Sequence, residues 1–151
     1  MESSKLSNAE RATPRSNPFK RKVLRVKVGC DFSSVRPAAG RVQRFLKKHG
    51  CEESTCLDCE LAMVEACNNA IKHTHLQDPI IVEIIIADTE IEMRITDHGP
   101  GFTWPKSVNL PKPELESGRG LYLIRRLMDA SDYIRGAREN VLVLRKKRCA
   151  R

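Results

Sequence analysis

From Lys22 onward, hydrophobic and polar positions alternate with period two: Leu24, Val26 and Val28 point one way and Val23, Arg25 and Lys27 the other. This alternation predicts a half-buried β-strand. The period then lengthens. Val35, Ala38, Val42, Phe45 and Leu46 recur at helical spacing, which predicts an amphipathic helix capped by Ser33 or Ser34, running through Lys48 and stopped by Gly50. A longer helix is expected from about Ser54 to His73, with Leu57, Leu61, Val64, Cys67 and Ile71 as its apolar stripe.

Two β-branched runs, PIIVEIIIA and EIEMRITD, flank Asp88 and Thr89 and read as an antiparallel hairpin. Residues 102–117 hold three prolines and no sustained period, so a long loop is expected, of a length that is uncommon without a function. Leu121, Ile124, Leu127 and Met128 mark a third helix opened by Gly118 and Gly120, and NVLVLRKK after Gly136 reads as a closing strand, with a further short strand near Tyr133. The order β-α-α-β-β-loop-α-β predicts an α/β (α+β) two-layer sandwich, a mixed or antiparallel sheet covered on one face by three helices.

Length and composition bound this picture. A chain of 151 residues, 40% hydrophobic and 30% charged, encloses one ordinary core. Residues 1–19 are rich in Ser, Pro and Arg and lack apolar periodicity, so a disordered basic arm is expected there, with a short basic tail over 147–151. No apolar run approaches the roughly 20 residues of a membrane span, and no secretory signal opens the chain, so the expectation is a cytoplasmic protein.

The net charge of +8 suggests nucleic acid until it is divided along the chain. Residues 1–27 are net +6 and residues 145–151 net +5, which leaves 28–144 at net −3. A mildly acidic body with basic ends lacks the clustered cations of a phosphate-reading face. The few aromatic residues, Trp104, Tyr122, Tyr133 and four Phe, are scattered and do not suggest a base-stacking platform, so no direct nucleic-acid binding is expected. Six cysteines in a chain with a sizeable core are expected to be reduced thiols. The triplet Cys51-x4-Cys56-x2-Cys59, with Cys67 as a fourth ligand, admits a metal site, although its placement along one helix and its approach loop is awkward for a cluster.

Three constellations carry chemistry. Glu65 and Asn69 lie four apart on the second helix and project from one face, with Lys72 continuing the stripe. A carboxamide oxygen such as that of Asn69 suits Mg²⁺, and a carboxylate such as Glu65 can orient or deprotonate an attacking hydroxyl. Asp97 follows Ile91, Met93 and Ile95 on the inward face of a strand, where its carboxylate needs hydrogen-bond donors, and an adenine amino group is one. Gly99 and Gly101 beside it allow backbone to approach a ring. Ser117-Gly118-Arg119-Gly120-Leu121 runs into a helix whose unsatisfied amides and dipole favour phosphate. Each alone is also an ordinary solvated face, turn or helix start; the three in this order are specific.

These residues resemble the N box (Glu65-x-x-x-Asn69), the G1 box (Asp97-x-Gly99-x-Gly101) and the G2 box (Gly118-x-Gly120-Leu121) of the GHKL, or Bergerat-fold, ATPases. The resemblance covers roughly residues 22–146, and a histidine-kinase-like ATPase domain is expected over 20–146. Compact length, NAIKH in the N-box helix and the run ESGRGLYLIRRLMD are similar to the anti-sigma-factor serine/threonine kinases. That resemblance implies an ATP-binding, Mg²⁺-dependent homodimer that sequesters a sigma factor and phosphorylates a serine of a STAS-domain anti-anti-sigma partner. It implies Glu65 near the incoming hydroxyl, Asn69 on Mg²⁺, and the amides near Gly118 and Gly120 on phosphate. One position departs: Glu116 stands where well-known kinases of the group carry Arg before the Ser-Gly. A binding module without phosphotransfer and a detached catalytic domain of a two-component kinase are the alternatives, the latter without a helical hairpin to carry a phosphoacceptor histidine. His73 and His75 are assigned no chemistry.

Overall fold

The structure, a computed structural model, describes residues 20–74, 77–104 and 119–148, with Arg119 described in its backbone only. The expectations for the arm 1–19, for His75, for the loop residues 105–118 that include Glu116, Ser117 and Gly118, and for the last residues of the tail fall outside the described residues. Within them the chain runs β1 (Lys22–Val28), α1 (Val35–Lys48), α2 (Glu53–His73), β2 (Ile80–Ile86), β3 (Glu90–Asp97), α3 (Arg119–Leu127), β4 (Ala130–Arg135) and β5 (Asn140–Lys147). The strands form one sheet in the order β1-β2-β3-β5-β4, antiparallel at every pairing. The expected α+β sandwich is the fold found, and its sheet is antiparallel rather than mixed.

Period-two alternation sets which side chains meet the helices. Val26, Val82, Ile95, Leu142 and Tyr133 stand in register across all five strands, and the first four are buried. Leu24, Ile84, Met93 and Leu144 form the next row toward the other end of the sheet. Truncating Ile84 or Met93, both fully buried, to Ala is expected to cost about 3 kcal/mol in lost transfer energy and cavity formation. The opposite face carries Arg25, Glu83, Arg94 and Asp132 in register with Val143, and exposed pairs such as Arg145–Asp132 at 3.0 Å. Pairs of this kind add little stability.

Two local expectations are corrected. The side chain that makes the capping bonds ahead of α1 is that of Asp31, which was not foreseen. Its carboxylate accepts from the Ser34 amide (3.0 Å), the Ser34 hydroxyl (3.0 Å) and the Ser33 hydroxyl, and it holds a 3-10 turn (Phe32–Ser34) ahead of the helix. Ser34 occupies the N-cap position, but its side chain makes no capping bond. Those bonds, led by that from Ser33, keep the Asp31 carboxyl below its ordinary range. At the other end Gly50 takes φ +80°, and the amides of Gly50 and Cys51 return to Lys47 O and Leu46 O, so the expected glycine stop is present.

The second correction concerns α2. Leu57 and Leu61 are 49% and 45% exposed, while Cys56, Cys59, Ala62, Met63, Ala66, Cys67 and Ala70 are buried. Helix α2 packs against α1, α3 and the sheet. Helices and strands approach closely only where the side chains between them are small, so the inward surfaces of α2 take cysteine and alanine and leave two leucines outside.

Candidate functional site

Asp97, the last residue of β3, stands in register with Asn140, the first residue of β5. Asp97 Oδ1 accepts from the Gly99 amide at 2.9 Å and from Asn140 Nδ2 at 3.1 Å, and Asn140 Nδ2 also donates to Gly99 O at 2.9 Å. The Asp-His-Gly-Pro-Gly turn is fastened further by Arg135 Nε on Pro100 O at 3.1 Å. Gly101 has φ +73°, and a Cβ there would sit 2.8 Å from Asn140 Oδ1 and 2.9 Å from Arg135 Cγ. Conformation and space both demand glycine at this position. Gly99 is nearly as confined, with Thr74 at 3.1 Å from the place a Cβ would take.

Helix α2 brings Glu65 and Asn69 to the same region, and α3 meets them. A Cβ on Gly120 would lie 2.8 Å from Glu65 Oε2 and 3.4 Å from Asn69 Nδ2, so the first turn of α3 rests directly on the pair. The amides of such a turn have no intrahelical partners and carry the positive end of the helix dipole. Leu121 follows, half-buried against the core; Lys72 is exposed on the α2 stripe. Arg119 opens α3, and Ser117 and Gly118 lie outside the described residues.

Between these elements is a cavity of about 20 Å³, lined by Ala66, Asn69 and Ala70 of α2, Ile95 and Asp97 of β3, Leu142 of β5, and Phe102, Trp104 and Tyr133. Three of the aromatic residues that look scattered along the chain, Phe102, Trp104 and Tyr133, are gathered here. Phe102 stacks on Tyr133 (centroids 4.8 Å), Trp104 stacks on Tyr133 (5.7 Å), His73 lies 5.2 Å from Phe102, and the Arg125 guanidinium sits 5.4 Å from the Trp104 ring. The Tyr133 hydroxyl accepts from the Phe102 amide at 3.4 Å, and burial pushes its pKa up. A space of this volume holds about one water molecule.

Cys51, Cys56, Cys59 and Cys67 are buried free thiols, and among the described residues no group of three or more His, Cys, Asp or Glu side chains is placed to hold a metal ion. Burial pushes the thiols of Cys59 and Cys67 up to about 12. They remain protonated and unreactive at neutral pH.

Residues 30–146 match the histidine kinase-like ATPase domain family. The chain belongs to this family. The match agrees with the expected GHKL membership. Among curated relatives of this ATPase domain, the serine-protein kinases RsbW of Bacillus mycoides and Bacillus cereus (strain ATCC 10987) are each 32% identical over 83 residues, covering 48% of this chain and 52% of theirs. The chain thus spans about half the length of the curated relatives it matches. In fold it is similar to the RsbU and RsbW domains of a Mycobacterium tuberculosis protein (TM-score 0.66, 18% identity, 84% of this chain and 32% of that one). It is also similar to a chain of the SiaB-SiaC complex of Pseudomonas aeruginosa (TM-score 0.57, 14% identity, 82% of this chain and 89% of that one). Among the described residues no helix is long and apolar enough to cross a membrane.

The residues present suit the nucleotide that the family name implies. Asp97 and Asn69 both line the cavity together with Ala66, Ala70, Ile95 and Leu142, and Gly120 in the first turn of α3 rests against Asn69. Sequence reasoning did not find Asn140, Phe102, Trp104 or Tyr133 as parts of this site. An asparagine at a strand start carries no distinguishing pattern, and the aromatic residues are joined only by tertiary packing.

Proposed function

We propose that the chain is an ATP-dependent serine/threonine protein kinase of the anti-sigma type, which phosphorylates a STAS-domain anti-anti-sigma protein and, as a homodimer, binds a sigma factor. The observation that carries this proposal is the seating of the first turn of α3 on Glu65 and Asn69. The relatives named serine-protein kinase support the same activity.

In this assignment Asp97 accepts the exocyclic amine of adenine, and Ala66, Ala70, Ile95 and Leu142 enclose the ring. Gly99 and Gly101 let backbone approach the ring. Asn69 supplies a carboxamide oxygen to Mg²⁺, a hard cation that keeps waters and phosphate oxygens as its other ligands. Arg119, Gly120 and Leu121, at the start of α3, cradle phosphate, the motif assigns Ser117 and Gly118 to the same role, and Lys72 adds positive charge on the stripe. MgATP, when bound, supplies the transferable γ-phosphoryl group. Glu65 orients the incoming serine hydroxyl and takes its proton, so catalysis rests on positioning and charge neutralisation without a covalent enzyme intermediate.

The test is affinity capture from native lysate with the chain loaded with MgATP or MgADP, followed by mass spectrometry and phosphosite mapping. The expected result is a sigma factor together with a STAS-domain protein phosphorylated on serine or threonine. Nucleotide-dependent capture with no phosphorylated protein would replace the kinase with a binding module.

A further inference from the structure

Asn140 is 1% exposed, the one buried polar or charged residue among the described residues. Both hydrogen bonds recorded for its amide run from Nδ2 to oxygens, Asp97 Oδ1 at 3.1 Å and Gly99 O at 2.9 Å. A half-turn of the amide would aim Oδ1 at those same oxygens, so the acceptors fix its orientation. The consequence is an unusual one: Asn140 Oδ1 is buried under Gly101 with no hydrogen-bond partner. A buried unpaired acceptor destabilises, and an aliphatic side chain at this position would avoid it. Donation to Asp97 and Gly99 is the gain that offsets this cost.

We infer that Asn140 is a positioning residue that sets base selectivity: it holds the Asp97 carboxylate so that the site takes 6-amino purines and refuses 6-oxo purines. The inference rests on the ATP assignment above. Asp97 Oδ1 receives two donors, from Gly99 and Asn140. Asp97 also lines the cavity. A ligand group that meets the carboxylate must therefore donate. The adenine 6-amino group does so, whereas the 6-oxo group of hypoxanthine presents an acceptor to an acceptor and is repelled.

ATP and ITP differ at the 6-position of the base, which makes them the probes. The wild-type chain is expected to bind ATP more tightly than ITP by calorimetry. Asn140→Ala is expected to weaken ATP about tenfold and ITP much less, because only the adenine contact depends on the fixed carboxylate. Asn140→Asp is expected to lower the ratio as well, since it replaces the donor that holds the Asp97 carboxylate with an acceptor. An ATP:ITP ratio that stays within about twofold of wild type in either folded variant overturns the role of Asn140 and leaves the ATP site standing. A wild-type chain that binds neither nucleotide overturns both. Should the variants fail to fold, nuclear magnetic resonance of the ¹⁵N-labelled wild type decides. The Asn140 side-chain amide protons are expected to be protected from exchange and to shift with ATP but not with ITP, and exchange at the rate of free asparagine overturns the assignment.

Discussion

Strand β5 carries a polar residue at each end of its helix-facing row, and the two ends behave differently. At the start, Asn140 holds Asp97 while its own Oδ1 has no partner. At the far end, Lys146 Nζ donates to Leu127 O at 2.6 Å and pairs with Asp58 Oδ2 at 3.0 Å. That second end ties the last turn of α3 to α2 and places positive charge at a helix C-terminus, where it is favourable. One end uses its hydrogen-bonding capacity to close the fold. The other holds Asp97, which lines the cavity together with Asn69.

If this division is right, substitutions at the two ends separate chemistry from stability. The largest effect is expected from Glu65→Ala: phosphotransfer falls by roughly 10²- to 10⁴-fold in a single-turnover assay while ATP affinity stays near wild type, the signature of a lost general base. Equal loss of binding and transfer in a folded Glu65→Ala chain would contradict its role. Next is Asp97→Asn, which adds a donor where the site needs an acceptor; ATP affinity is expected to drop about a hundredfold by calorimetry.

At the closed end, Lys146→Met is expected to lower unfolding free energy by about 2 kcal/mol in urea, through the loss of a hydrogen bond from a charged group, with the ATP:ITP ratio unchanged. A shifted ratio would show that the two ends of β5 are coupled. The smallest effect is optical. Trp104 is the only tryptophan in the sequence, and its emission is expected to change when ATP enters and parts the stack with Tyr133. An unaltered spectrum at saturating ATP would mean that the base lies elsewhere.

A pH series tests the buried thiols of α2. The ordinary cysteine value of 9.0 is raised to about 12 at Cys59 and Cys67 by burial. Between these values the unfolded chain releases thiol protons that the native chain keeps. Stability is therefore expected to fall as pH rises from 9 toward 12, by about 1.4 kcal/mol per unit for each cysteine. Below pH 9 the two contribute no slope.

The strands were legible because β-branched residues and strict alternation leave one choice of inward face, as in the row Leu24, Val26 and Val28. The convergence of Glu65, Asn69, Asp97 and Gly120 was legible because helix spacing and a glycine pair restrict what each segment can do. The buried side of α2 was misjudged at Leu57 and Leu61, since periodicity weighs hydrophobic bulk and close three-sided packing selects for smallness. Asn140 was invisible for a different reason. Its meaning comes from being opposite Asp97, and no local pattern states which strands are neighbours.

That neighbour relation has a kinetic side. Strand β5 sits between β3 and β4, and the bond that joins Asn140 to Asp97 spans 43 positions of sequence, across the 105–118 segment, α3 and β4. Loop-closure entropy must be offset before such a pairing is rewarded, which places the β3–β5 ladder among the slower steps of folding. Until that ladder zips, Asp97 lacks the donor that Asn140 supplies. Nucleotide would then act as a late ligand of the finished fold, and its presence would slow unfolding more than it speeds folding.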